Sequence, residues 1–178
     1  MKKILTVVFL SIFFITYAQN KNKTEDIFGV KVGFIGGWVS YEKALNHKFT
    51  LNSEVGYEGG FLKGTNNNVD YVFTTIFSLE PRYYYNFKKR QDKGKSTNNN
   101  SANYISSEFF YVPDLLSATN RDNLSINKSF GIIPKYGLRR SISDNLIFEF
   151  AIGIGYAWRE NDINGVVLAL DLRVHLKL

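Results

Sequence analysis

Gly165 to Leu178 alternates without a break. Val166, Leu168, Leu170, Leu172, Val174, Leu176 and Leu178 occupy one set of alternate positions, and Val167, Ala169, Asp171, Arg173, His175 and Lys177 the other. Successive side chains of a strand point to opposite faces, so this stretch is a strand with one aliphatic and one charged face. It is longer than the roughly 9–11 residues that a tilted strand needs to cross a bilayer. Such a strand suits a closed antiparallel barrel whose apolar side meets lipid. A soluble, lipocalin-like barrel gives the same period with the faces reversed.

The other end of the chain has a different character. Met1-Lys2-Lys3 is followed by an apolar run from Ile4 to Tyr17 and a small residue at Ala18, the order of a secretory signal peptide. Cleavage is expected after Ala18 or Gln19, with 1–18 as the signal peptide, 19–27 as an N-terminal extension and 28–178 as the barrel. Losing Lys2 and Lys3 takes the formal charge from +6 to +4. Much of the remaining excess lies in Lys88, Lys89, Arg90, Lys93 and Lys95, so the chain does not read as a nucleic-acid binder. Those five residues are candidates for contact with anionic lipid headgroups. There is no cysteine, hence no disulfide framework, no thiol chemistry and no lipid attachment through an N-terminal cysteine.

Between these ends the same period recurs. Strand segments are expected over Phe28–Tyr41, Phe49–Leu62, Tyr71–Phe87, Tyr104–Val112, Phe130–Leu138 and Leu146–Trp158, followed by the terminal strand. Bulky aromatics (Trp38, Phe49, Phe61, Tyr71, Phe87, Trp158) fall near segment ends on the apolar face. Glu42–Lys48 reads as a turn, Lys88–Asn103 as a low-complexity loop, and Asp114–Lys128 as a long loop with a helical turn around Leu115-Leu116. That makes seven segments, whereas bacterial barrels have an even number of strands. Eight are expected, the missing one lying in Lys21–Ile27 or fused into Tyr104–Lys128.

If every charged face points inward, the interior holds Lys31, Arg82, Lys135, Arg139, Arg173 and Lys177 against Glu54, Glu58, Glu80, Glu108, Glu149 and Asp171. The two sets are equal in size. A charge in a narrow interior must be paired or hydrogen-bonded, so a matched set predicts a closed, ion-paired lumen rather than an open channel. His47 falls in a turn and His175 on the inner face; no serine motif accompanies either, and nothing has metal-ligand spacing. No catalytic or cofactor-binding residue is assigned.

The signal segment, the alternation across Phe28–Leu178, the terminal Leu168-x-Leu170-x-Leu172-x-Val174-x-Leu176-x-Leu178 and the run Arg82-Tyr83-Tyr84-Tyr85-Asn86-Phe87 together resemble the small outer-membrane barrels of the OmpA/OmpX transmembrane type. More narrowly, the chain is similar to the porin-family or outer membrane protein beta-barrel proteins common in Bacteroidetes-like bacteria. The resemblance implies an all-β, antiparallel transmembrane barrel in the outer membrane of a Gram-negative cell; many members have no assigned activity, and no enzymatic activity or cofactor is expected here. Its implied partners are outer-membrane lipid, lipopolysaccharide and the assembly machinery that reads the C-terminal strand. Members of such families usually end in an aromatic residue, and this chain ends in Leu178. A small pore and a lipid A-modifying enzyme are the other functions the resemblance leaves open.

Overall fold

A computed structural model describes residues 23–63, 69–120, 127–161 and 163–178. The expected signal peptide, 1–18, lies outside the described residues, as do 19–22 of the extension and parts of the loops at 64–68, 121–126 and 162. The strands are β1 Ile27–Gly33, β2 Gly36–Ala44, β3 Phe49–Lys63, β4 Val69–Tyr83, β5 Asn103–Val112, β6 Ala118–Thr119, β7 Ser129–Ser141, β8 Leu146–Arg159 and β9 Gly165–Lys177. A short helix, α1 Phe87–Asp92, and a 3-10 turn, Asn98–Asn100, lie between β4 and β5. Among the described residues no helix is long and apolar enough to cross a membrane.

Every pairing is antiparallel. The two-residue β6 pairs with β4, through Val72↔Thr119 and Phe73↔Ala118. The eight long strands close into a ring because β9 pairs back onto β1, from Gly29↔Lys177 to Gly33↔Arg173. The turns at 45–48 and 142–145, the segment 84–102 and residues 23–26 gather at one end of the ring, here the proximal end. The turn at 34–35 and the strand ends Lys63, Val69, Val112, Ser129, Arg159 and Gly165 gather at the distal end.

The eighth strand comes from the first segment. Phe28–Tyr41 is a hairpin, with Gly33 paired to Gly36 across the two-residue turn Phe34-Ile35. Gly33 and Gly36 face the same way, so the inward set changes from odd to even numbers. Trp38, Ser40 and Glu42 are consequently buried inside, where Trp38 was expected to face outward and Glu42 to lie in a turn. No residue from Phe34 to Val39 is polar, so the sequence carries no mark of the change of phase.

Two further boundaries move. β4 ends at Tyr83, and Tyr84 and Phe87 fold under the proximal end against Ala102, Tyr104 and Ala151, so Phe87 does not continue the outward face as expected. Their rings meet edge-on, Tyr84 at 5.5 Å from Tyr104 and 6.4 Å from Phe87. At Leu115-Leu116 there is no helical turn; Leu116 takes a left-handed φ of 45° before β6.

Large inward side chains fit because glycines stand beside them. A Cβ on Gly56 would fall on the indole of Trp38, and one on Gly137 would fall on the ring of Tyr104. Gly137→Val is therefore expected to displace Tyr104 and to destabilise the ring by about 1–3 kcal/mol, the scale of overpacking. Thermal unfolding in detergent checks this, with Gly60→Ala as control, since nothing lies within 4 Å of a Cβ there.

Candidate functional site

The inward charges of all eight long strands meet in one connected network. Lys31 on β1 sits 2.6 Å from Glu54 on β3 and 2.9 Å from Glu149 on β8. Glu149 also takes Arg82 from β4 at 2.6 Å and Arg139 from β7 at 3.1 Å. Arg139 reaches Glu42 at 2.6 Å; its N–H groups are not aligned for hydrogen bonds there, so this is a contact of charge. Arg82 also grips Glu80, two residues before it. Toward the distal end Arg173 joins Glu54 at 2.7 Å and Asp171 at 2.9 Å, and Lys135 joins Asp171 at 2.7 Å and Glu108 at 2.5 Å.

Ten of the sequence-derived charges thus come together: Lys31, Glu54, Glu80, Arg82, Glu108, Lys135, Arg139, Glu149, Asp171 and Arg173. Two stand apart. Glu58 is half-buried nearer the distal end and makes no ion pair among the described residues. Lys177 lies at the proximal end, 3.3 Å from Glu25 and 2.9 Å from the Asn99 amide oxygen. Glu42 takes a place that sequence reasoning missed, so the network has one more carboxylate than cations rather than equal numbers.

Neutral donors meet that excess. Glu42 accepts from Thr50 at 2.6 Å and Tyr84 at 2.8 Å. Glu80 accepts from Ser106 at 2.6 Å, and Asn52 spans Glu54 at 2.8 Å and Glu80 at 3.4 Å. A buried carboxylate costs several kcal/mol unless its lone pairs are filled, and here hydroxyls and an amide fill those the cations leave. Arg173 also lies over the Trp38 ring at 4.0 Å, and Arg82 over Tyr104 at 4.7 Å.

The proximal end is capped by residues that read as low complexity. Asn99 and Asn100 are buried, with φ of 53° and 58°, a region that Asn tolerates better than most residues. Asn100 exchanges two hydrogen bonds with the backbone of Glu25, at 2.8 and 2.9 Å. Asn99 donates to Ser141 Oγ at 2.8 Å and to the Asp144 carbonyl at 2.9 Å. The cap and the ion-paired layer lie in series across the interior. Toward the distal end the inner face thins to Gly153, Gly155, Val167 and Ala169, all half-buried.

His175 is fully enclosed, its Nε2 3.4 Å from Ser40 Oγ, whereas His47 is exposed in its turn. Among the described residues no group of His, Asp or Glu is arranged to hold a metal ion. Lys88, Lys89 and Arg90 ride on α1 at the proximal end, followed by Lys93 and Lys95; Lys88 pairs with Asp92 at 2.9 Å on the exposed surface.

Comparison with protein-family models, with curated proteins and with solved structures returns no match.

Glu149 touches three cations at once. Glu149→Gln keeps its shape and removes the compensating charge, so a loss of about 3–5 kcal/mol is expected in denaturant unfolding. Lys88→Gln breaks only an exposed pair within one helix and is expected to change stability by no more than about 0.5 kcal/mol. Equal effects would mean that the interior charges are solvated individually.

Proposed function

We propose that the chain spans an outer membrane as a closed, ion-paired barrel with a structural or surface-interaction role rather than a conducting one. The observation that carries this is the outer surface. Val32, Val39, Val55, Leu79, Phe109, Tyr136, Ile154 and Leu170, one from each long strand, are all exposed, as are most of their outward neighbours. Soluble monomers rarely expose contiguous apolar patches beyond a few hundred Å², and this one runs around the whole ring. In hydrocarbon the same surface is at home, and a ring without edges leaves no backbone group to be satisfied by lipid.

The interior supports the second half of the reading. A water-filled channel keeps its wall charges hydrated; here each network charge is met by another side chain, and the asparagine cap lies beneath. With the signal peptide expected at 1–18, the polar distal loops face outward among lipopolysaccharide, where any recognition takes place. The basic proximal end then rests on the inner leaflet, and β9 is the strand offered to the assembly machinery.

The test is flotation with lipid vesicles, gel mobility with and without boiling, and current across planar bilayers. The expected result is a floating protein whose mobility shifts only on boiling and which passes no unitary current. A protein that stays in the soluble fraction with one mobility would overturn membrane insertion, and discrete current steps would overturn the closed interior.

A further inference from the structure

We propose that the groove on the outer surface between β4, β5 and β7 seats one acyl chain of an anionic glycerophospholipid, with its phosphate held by Arg90 and Arg140 at the proximal rim. This rests on the membrane-spanning reading above and names a particular lipid site within it.

The groove follows from three residues. Pro81 on β4 and Pro134 on β7 both face outward, and neither has an N–H to donate. The β4–β5 ladder lapses between Leu79↔Phe109 and Arg82↔Ser106, and the β7–β8 ladder between Ile132↔Tyr156 and Lys135↔Gly153. The small Ser107 lies between the two prolines, directly paired with Pro134. The result is a recess of about 570 Å³ walled by the rings of Phe49, Tyr83 and Tyr136. That volume is within the rough 300–1,000 Å³ range of small-molecule sites.

Its proximal mouth is polar and cationic. The Tyr85 and Tyr136 hydroxyls are 2.9 Å apart, and the Asn103 amide donates to both, at 3.3 and 2.9 Å. One hydroxyl donates to the other, so one phenolic proton is left for an outside acceptor. Arg140 is held against Asn103 Oδ1 at 2.7 Å and the Arg139 carbonyl at 2.6 Å, which leaves N–H groups free. Arg90 is pinned to the Ser96 carbonyl at 2.9 Å; its backbone N–H donates to the Asn86 carbonyl at 3.0 Å, and the Asn86 side chain accepts from the Asn103 N–H at 2.8 Å, so both arginines are anchored around Asn103. No carboxylate among the described residues pairs with either guanidinium. Two adjacent arginines and a spare hydroxyl above an apolar recess suit a phosphate with a hydrocarbon tail.

A second outer groove, along Phe28, Tyr41, Val55, Leu79 and Phe109, has similar volume but a different mouth. There Lys43 already meets Asp26 at 2.5 Å, and Tyr41 donates to the same carboxylate. Among the described residues no unmatched cation lies at that mouth, so the lipid is assigned to the first groove alone.

The experiment uses the full chain assembled into nanodiscs of phosphatidylcholine with a minor share of phosphatidylglycerol, followed by native mass spectrometry of the released protein. The expected result is one retained phosphatidylglycerol, enriched over its bulk share. Ser107→Trp, which fills the recess, and the pair Arg90→Gln/Arg140→Gln are each expected to cut that enrichment about tenfold, the scale of a charge-assisted contact or a seated chain. Lys128→Gln, at the distal end beside Glu160, leaves it unchanged. Insertion without enrichment, or equal loss in the lysine control, overturns the site and leaves the membrane reading standing. Loss with the arginine pair but not with Ser107→Trp overturns the seated chain. A protein that never enters the nanodisc overturns both readings together.

Discussion

The pairing of β1 with β9 is the contact on which the rest depends. Five residue pairs, Gly29↔Lys177 to Gly33↔Arg173, turn a sheet with two open edges into a ring with none. Only a closed ring has an inside, and only then must the charged faces of all the strands answer to one another. The register is staggered around the circuit, so the strands tilt and the inner side chains are set at different heights. Closure also satisfies the backbone hydrogen bonds that an open edge would leave to solvent.

Once the ring is closed, its interior is too narrow for independent charges. The network solves this collectively: Glu149 holds three cations, Glu54 two, and Lys135 bridges two carboxylates. The excess carboxylate is met by hydroxyl and amide donors, and glycines beside Trp38 and Tyr104 make room for the rings that flank the arginines. Packing and electrostatics are thus one problem here, because the same small residues that admit the aromatics let the long charged side chains reach across.

Legibility followed the contrast between faces. β8, β9 and β3 could be read position by position, because each sets bulky apolar residues against charged or very small ones. The hairpin at Phe34-Ile35 was hidden because the residues around it are apolar on both faces, so a change of phase left no trace. Phe87 looked like one more outward aromatic, since nothing local says that β4 stops at Tyr83. Asn98-Asn99-Asn100 looked like filler, because the partners that make it a cap, Glu25, Ser141 and Asp144, lie far away along the chain.

The sequence by itself determined the period, and with it the existence of strands, the apolar and charged faces and the identity of most inward charges. Those are local consequences of side chains alternating along an extended backbone. Only the tertiary structure decided which cation meets which carboxylate, that Glu42 enters the interior while Lys177 stays at its rim, and that the asparagines close one end. Arg173 and Glu54 are separated by 119 residues and meet at 2.7 Å. Such a distance is set by the number, tilt and stagger of the intervening strands, and those exist only after the ring has closed.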